Sequence, residues 1–451
     1  MTINRRAWLG QAALTAAFLG LPPAWAGELK PDSKRPYLDL ALQCAAWIEA
    51  SRQVSDRGVR WPADPLKPES VEPDLYNGTA GVVVFLAELY NSTGDRRWMT
   101  SAEAGADYLM SEVAAQGDKI DCGLYSGLAG IGFAVASAAT AGGDARYDRA
   151  GREIIGRVKA RTQAVGAGVQ WDDGYDVISG SAGIGLALLD AHRRWGDAEA
   201  LALARKAGLR LIECGHAAEG GTLWFPSASL KTNYPNFSHG ASGVGYFLAS
   251  LHQRTGDRVF LDGALSAARY LDAIATRKGD GTLIFHHDPG GRDLYYLSWC
   301  HGPGGTARLF YRLHQTTGEQ QWLDWVHSLT RGLIATGVPE QRSAGYWENI
   351  SQCCGDTGMG QYFLDLERYL HDPKARAMIE RVVADTLQRR TQDAAGLRWI
   401  QAENRTQPDN RVAQTGFMQG AAGVGAFLLR LDRTAAGKRW AIDFPDTPFV
   451  G

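Results

Sequence analysis

A Gly-x-x-Gly pair opens an apolar, helix-like stretch seven times along this chain, and this repeat restricts the possible folds more than any other feature. The 54 glycines are about 12% of the 451 residues, against a usual level of roughly 7%. Successive pairs begin 49 to 65 residues apart, and their first glycines are Gly78, Gly127, Gly180, Gly240, Gly302, Gly355 and Gly420. A repeat of this period indicates one supersecondary unit used many times.

Each repeat predicts a helical hairpin. An apolar helix follows the glycines, as in residues 82–90 and 184–191, and usually ends at a Gly-Asp or Gly-Glu step. Glycine suits the left-handed residue that ends a helix, and the acidic residue suits the N-cap of the next helix. A second helix with one polar face then runs back, as in residues 198–212. The first helix should therefore be buried and the second should lie outside it.

Seven such hairpins can close into a double-layered ring. We therefore predict an all-α fold, an α/α toroid of seven helical hairpins formed by a single domain over residues 27–451. An open solenoid used as a binding scaffold is the alternative, although solenoid repeats are usually shorter and more uniform. In a ring the glycine loops can converge at one end because no Cβ obstructs them. Helix N-termini at that end favour negatively charged groups, so we expect the functional face there.

Residues 1–26 predict a signal peptide. Paired Arg5 and Arg6 precede an apolar run over residues 12–21, and Ala24-Trp25-Ala26 has the form of a cleavage site. The apolar run is too short to span a membrane. The paired arginines are typical of a twin-arginine signal, which predicts a periplasmic protein; a general secretory signal is the alternative. We find no other candidate membrane span, and a net charge of -2 gives no reason to expect a nucleic-acid partner.

Three cysteines occupy equivalent loops of neighbouring repeats. Cys300 precedes the glycine pair of repeat five, and Cys353 and Cys354 precede that of repeat six. In a ring these loops would meet, and three thiolates suit Zn²⁺ with one coordination position left open. Copper(I), purely structural buried cysteines and three disulfides among the six cysteines are the alternatives. Adjacent cysteines rarely pair with each other, and a chain of this length needs no covalent staples.

Further motifs carry a family resemblance. Trp299-Cys300-His301-Gly302, Cys353-Cys354-Gly355 and Phe237-Ser238-His239-Gly240, set in seven glycine repeats, resemble the lanthionine synthetase C-like (LanC-like) family over essentially the whole mature chain. The resemblance implies one zinc ion per chain, bound by Cys300, Cys353 and Cys354. A cysteine at 354 stands where histidine is usual, as in a Cys-Cys-Gly variant of some lanthionine cyclases.

Two stretches depart from the family pattern. Residues 295–298 lack an arginine that certain cyclases carry one turn before the Trp-Cys motif. The sequence of residues 356–360, directly after the second cysteine motif, is not the commonest form.

The resemblance also implies a reaction. LanC-like enzymes add a thiol to a dehydroalanine or dehydrobutyrine, so the expected partner is a peptide or a small thiol such as glutathione. His239 matches the catalytic histidine, which would protonate the enolate. Asp176 matches an aspartate that would orient His239 or help to move protons. His301 is a second candidate acid.

Two other functions remain open at the level of the sequence. An α/α-toroid carbohydrate-active hydrolase would use paired carboxylates, and Asp172, Asp173 and Asp176 share one loop. A non-catalytic binding protein stabilised by zinc is the other. A glycosidase would have no use for a thiolate metal site, and a binding protein would tolerate loss of His239. The oligomeric state is not decided by the sequence.

Overall fold

The computed structural model describes residues 34–450, and its helices form a double-layered ring. Each inner helix follows a Gly-x-x-Gly loop; these helices are α2 (Thr79–Thr93), α4 (Leu128–Gly142), α6 (Ser181–Trp195), α8 (Ala241–Thr255), α10 (Pro303–Thr317), α12 (Asp356–Asp365) and α14 (Ala421–Ala435). The outer helices are α1 (Pro36–Ala50), α3 (Arg96–Gln116), α5 (Ala145–Ala160), α7 (Ala198–Glu213), α9 (Arg258–Ala273), α11 (Gln320–Ile334) and α13 (Ala375–Gln388). The predicted all-α toroid of seven hairpins is confirmed.

A ring of backbone hydrogen bonds joins the seven glycine loops. The residues that make these hydrogen bonds stand two positions before the first glycine of each pair. The exception is the donor Val177, which stands three positions before Gly180. Cys300 N–H donates to Cys353 O at 3.1 Å, and Cys353 N–H donates to Met418 O at 2.9 Å. Met418 N–H donates to Tyr76 O at 2.8 Å, which closes the ring between repeats seven and one. The remaining donor–acceptor pairs are Tyr76–Tyr125, Tyr125–Ile178, Val177–Ser238 and Ser238–Cys300.

The first described helix completes the last hairpin. Helix α1 packs against α14 as its outer partner, and α14 packs against α2. The Arg35 guanidinium and the Asp432 carboxylate form an ion pair at 2.6 Å across this junction. The ring is therefore closed by opposite ends of the chain.

The predicted helix boundaries agree closely with the structure. Glycines of the Gly-Asp and Gly-Glu steps adopt the left-handed conformation; these are Gly94, Gly143, Gly196, Gly256 and Gly318. Asp95, Asp144 and Asp197 accept a backbone N–H of the next helix, as an N-cap should. Asp257 and Glu319 make no such side-chain bond, so there the left-handed glycine alone marks the boundary.

The second glycine of each pair allows a close backbone approach. A Cβ on Gly305 would lie 1.9 Å from Trp299 O, and one on Gly183 would lie 2.0 Å from Val177 O. No side chain larger than hydrogen fits at such a distance. The glycines therefore let each loop pack directly onto the first turn of its inner helix.

Short β-hairpins, which the repeat analysis did not predict, follow most outer helices. Residues 34–450 contain six two-stranded antiparallel sheets: β1–β2 (Gln53–Ser55, Gly58–Arg60), β3–β4 (Gln163–Val165, Gly168–Gln170), β5–β6 (His216–Ala218, Gly221–Leu223), β7–β8 (Thr276–Lys278, Gly281–Leu283), β9–β10 (Thr391–Asp393, Gly396–Arg398) and β11–β12 (Gln401–Ala402, Arg411–Val412). Trp171, Trp224 and Trp399 each directly follow a hairpin and donate Nε1–H to a carbonyl of the preceding outer helix at 2.7 Å. These tryptophans attach the hairpins to the outer layer.

None of the helices between residues 34 and 450 combines the length and apolar character needed to cross a bilayer. The predicted signal peptide at residues 1–26 lies outside the described residues.

Candidate metal centre and active site

The three predicted cysteine ligands form one buried cluster at the glycine-loop end of the ring. Cys300 Sγ lies 3.3 Å from Cys354 Sγ, and Cys354 Sγ lies 3.4 Å from Cys353 Sγ. All three sulfurs lie within 4.8 Å of one another. The backbone hydrogen bond from Cys300 N–H to Cys353 O explains this proximity, because it aligns the loops of repeats five and six.

The spacing of these sulfurs fits a zinc ion. A tetrahedral site with Zn–S bonds of about 2.3 Å places its sulfurs about 3.8 Å apart, which lies within the range seen here. Thiolates are also ligands that zinc binds well. Cys300, Cys353 and Cys354 could therefore hold one zinc ion and leave a fourth position for a substrate.

Hydrogen bonds and burial shift the pKa values of the three clustered thiols in different directions. Hydrogen bonding from the Cys300 and Cys354 thiols lowers the pKa of Cys353 well below its usual value. Burial raises the pKa of Cys300, and hydrogen bonding to Cys300 raises that of Cys354. Tyr76 adds a further hydrogen bond, since its hydroxyl donates to Cys353 Sγ at 3.0 Å. Hydrogen bonds from the two neighbouring thiols and from Tyr76 therefore favour the thiolate form of Cys353.

Tyr76 is a contact that the sequence analysis did not assign to the site. It stands two residues before Gly78, which is the position that Cys300 and Cys353 hold in their own repeats. Gln419 Nε2 donates to the Tyr76 hydroxyl at 2.9 Å and fixes its orientation. Equivalence within the repeat was the signal that could have found this residue.

His239 and Asp176 form a pair beside the cysteines. His239 Nδ1 lies 2.5 Å from Asp176 Oδ2, and 34% of the His239 side chain is open to solvent. Asp176 Oδ1 accepts backbone N–H bonds from Ser179 at 2.9 Å and Gly180 at 2.8 Å, which fix the carboxylate. Burial alone would lower the pKa of His239, but the charge and hydrogen bond of Asp176 raise it above its ordinary value. The contact leaves Nε2 as the ring nitrogen that can exchange a proton.

His301 lies deeper and has the opposite electrostatics. Its side chain is buried, its Nε2 lies 3.2 Å from Ser238 Oγ, and its ring centroid is 5.4 Å from that of His239. Burial, with nearby histidines, holds the pKa of His301 well below its usual range. A neutral His301 can orient neighbours, whereas His239 is better suited to donate a proton.

Two more histidines, outside the repeat positions, extend this group. His286 lies 4.3 Å from His301 between ring centroids, and burial lowers its pKa to about 3. His287 Nδ1 lies 2.8 Å from His286 Nδ1, and Tyr234 contacts both rings. These residues form an aromatic cluster around His301.

The other candidates from the sequence lie elsewhere. Asp172 Oδ1 accepts from Gly174 N–H at 2.7 Å, and Asp173 Oδ2 accepts from Ser229 N–H at 3.2 Å, so both carboxylates stabilise local loops. Cys44, Cys122 and Cys214 are buried free thiols outside the cluster. All six cysteines are free, so the alternative of three disulfides is wrong.

Comparison with known proteins agrees with this architecture. The sequence profile described as "Lanthionine synthetase C-like protein" matches residues 69–441, which is well over half of the chain. The chain belongs to the lanthionine synthetase C-like family. Among curated protein sequences nothing matches.

Solved structures of distant proteins share the ring. Nisin cyclase is 17% identical, with a TM-score of 0.62 over 90% of this chain and 96% of its own. The Lin0763 protein from Listeria innocua is 10% identical, with a TM-score of 0.52 over 89% of this chain and 99% of its own. The α-1,6-mannanase GH76A of Salegentibacter sp. HEL1_6 is 14% identical and reaches 0.49 over 88% and 99%. The first two likenesses show the double-layered helical ring alone, and the third supports no conclusion.

Proposed function

We propose that this LanC-like protein is a zinc-dependent enzyme that adds a thiol to a dehydroamino acid and so forms a thioether. The observation that carries the proposal is the placement of three buried cysteine sulfurs within 4.8 Å of one another beside the His239–Asp176 pair. A metal-activated nucleophile and a positioned acid are the two parts that this reaction needs. The substrate would be a dehydroalanine or dehydrobutyrine peptide, with a thiol from the same peptide or from a small molecule.

The first part of the reaction concerns the thiol. A zinc ion held by Cys300, Cys353 and Cys354 would lower the pKa of a substrate thiol and keep it as a thiolate. The Tyr76 hydroxyl would orient Cys353 through its hydrogen bond to Sγ, since outer contacts of this kind orient metal ligands. The thiolate sulfur then forms a bond to the β-carbon of the dehydroamino acid, and the C=C π bond breaks.

The second part concerns the proton. The electron pair of the broken π bond is held as an enolate, which must gain a proton at the α-carbon. His239 would donate it from Nε2, because Nδ1 is held by Asp176 and the raised pKa favours the protonated ring. The proton lost by the substrate thiol restores the imidazolium, so the reaction is balanced without any further reactant.

We also propose where the reaction takes place. The paired arginines and apolar run of residues 1–26 support export by the twin-arginine route, which would deliver the protein to the periplasm. Folded proteins use this route, so zinc could be bound before export. The thiol and the acceptor would then have to be present outside the cytoplasm.

The proposal is tested with zinc-loaded protein, a synthetic dehydroalanine peptide and glutathione or a cysteine-containing peptide. We expect thioether formation, detected by mass spectrometry, at a rate well above that of the same mixture without protein. His239→Ala should lower this rate by roughly 10²- to 10⁴-fold, the usual contribution of a general acid, without loss of zinc. His216→Ala is the matched control, because His216 is an exposed histidine on strand β5, outside the glycine loops. Equal rates for His239→Ala and the wild type would refute the proposed acid.

A further inference from the structure

The segment after α14 occupies the interior of the ring. Gln315 Nε2, in the last turn of α10, donates to Pro448 O at 3.1 Å, and Tyr311 stacks on Phe449 with ring centroids 4.6 Å apart. On the other side, Glu88 of α2 accepts the Ile442 N–H at 2.9 Å. The tail, residues 437–450, therefore enters the ring at the C-terminal ends of the inner helices, opposite the cysteine cluster.

Asp446 is the tail residue that contacts Trp299, the direct neighbour of Cys300. Its side chain is 1% exposed and forms a buried ion pair with Arg308 of α10 at 2.6 Å. Asp446 Oδ2 also accepts the Trp299 Nε1–H at 3.2 Å, and Arg308 Nη1 donates to Asp446 O at 2.9 Å. A buried ion pair adds little net stability by itself, so its geometric role is the more informative feature.

This ion pair contacts both loops that build the candidate site. Trp299 directly precedes Cys300, and its ring lies 5.7 Å from that of Phe237 between centroids. The Arg308 guanidinium lies 5.2 Å from the centre of the same Phe237 ring. Phe237 stands two residues before His239. The tail is thus joined through Trp299 and Phe237 to the backbone that carries a metal ligand and the histidine.

We propose that Asp446 is a positioning residue, through which the C-terminal tail fixes the Trp299–Cys300 loop from inside the ring. The inference rests on the proposed function for the importance of that loop. The effect of the Asp446 contact on the conformation of the loop, however, does not depend on catalysis. Loss of the Asp446 contact should release the loop and make Cys300 a less well held ligand, whereas the inner helices should remain in place.

The test compares Asp446→Asn with Asp443→Asn in the full-length protein. Asp443 lies on the same tail and lines the same cavity as Asp446, but among the charged groups around it Arg430 has the largest effect on its pKa, so it is a matched control. Hydrogen exchange of the 298–302 amides is measured by mass spectrometry, with peptides from α8 as an internal reference. We expect at least tenfold faster exchange at 298–302 in Asp446→Asn, no change in α8, and no change in Asp443→Asn. Zinc release to a chelator should also be faster in Asp446→Asn alone.

A second variant covers the case in which Asp446→Asn does not fold. Trp299→Phe removes the Nε1–H donor but keeps the Arg308–Asp446 pair, and it should show the same change at 298–302. Unchanged exchange at 298–302 in a folded variant would overturn the proposal. So would an acceleration that is equal in all peptides, since that would indicate a general loss of stability. If the wild type binds no zinc, the proposed function fails, but the exchange data still decide the role of Asp446.

Discussion

At the residue scale, the three cysteines, His239 and His301 of the candidate site occupy two positions of the repeat. Cys300 and Cys353 stand two residues before a glycine pair, whereas Cys354, His239 and His301 stand one residue before. The hydrogen-bonded ring joins the first of these positions between neighbours, so residues equivalent in sequence become adjacent in space. The grouping of the three cysteines could therefore be predicted from the repeat, whereas their role as metal ligands and the role of His239 as an acid stay predictions of the resemblance.

The side chains around the site were harder to predict. Tyr76 stands two residues before its glycine pair, as Cys300 and Cys353 do, but tyrosine is not a residue type typical of a metal centre. His286 and His287 lie outside the repeat positions, in the loop that follows β8, and only the folded loop brings them against His301. Their contacts depend on loop conformation, which neither period nor composition indicates.

The His239–Asp176 pair predicts the pH dependence of the reaction. With His239 as the proposed acid, kcat/KM should fall as the pH rises through its pKa, which Asp176 raises. In Asp176→Asn the charge is lost, burial lowers the pKa, and this descending limb should move to lower pH. A pH–rate profile checks this, with Asp173→Asn of the same loop as control. A limb that stays in place in Asp176→Asn would contradict the assigned roles.

Tyr76 predicts a change in metal affinity without loss of the site. Tyr76→Phe removes the hydrogen bond to Cys353 Sγ but keeps the ring. Because outer contacts of this kind are typically worth 10- to 100-fold in affinity, zinc should bind roughly that much more weakly at unchanged stoichiometry. Chelator competition measures the effect, and Tyr90→Phe at the far end of α2 serves as control. Equal affinities would show that the hydroxyl does not support the cluster.

At the element scale, the hairpin repeat could be predicted because each helix carries its own boundary signals. Left-handed glycines end the inner helices, and three of the five acidic residues after them cap the outer ones. The β-hairpins were missed because strands of two or three residues are too short for an alternating pattern. The signal lay in tryptophans such as Trp171, whose indole contacts the outer helix directly.

The glycine pairs give a stability prediction at this scale. In Gly305→Ala the new Cβ would lie 1.9 Å from Trp299 O, so the Cys300 loop must move. Overpacking of this kind costs about 1–3 kcal/mol, and zinc content should fall with it. Gly156→Ala, on outer helix α5 with open space around the position, should instead be neutral or gain up to about 1 kcal/mol. Urea unfolding compares them; a neutral Gly305→Ala would disprove the close-packing explanation.

At the scale of the whole molecule, the seven repeats predicted a ring but not how it is completed. The sequence does not show that α1 supplies the outer partner of α14, because α1 precedes the first glycine pair. Nor does the repeat predict the interior position of the tail, whose residues 437–450 follow the last hairpin and have no counterpart in other repeats. Both depend on packing between distant parts of the chain.

Ring closure predicts that a destabilising substitution at the junction between α1 and α14 lowers the stability of the whole ring. Ile48 of α1 is fully buried, and Ile48→Ala should lower the free energy of unfolding by about 2–5 kcal/mol. In a closed ring this loss should appear equally in the slowest-exchanging amides of α8, on the far side. Val54→Ala, at a position 70% exposed, should leave both quantities unchanged. Faster exchange confined to α1 and α14 would indicate independent repeats instead of a closed ring.

The zinc content of the purified mature protein tests the central claim most directly. Elemental analysis of the wild type, Cys353→Ala and Cys122→Ala separates the cluster from a buried cysteine outside it. We predict one zinc per chain in the wild type and in Cys122→Ala, and loss of that zinc in Cys353→Ala. Wild-type protein from its own host without bound zinc, or equal zinc in all three proteins, would contradict the account.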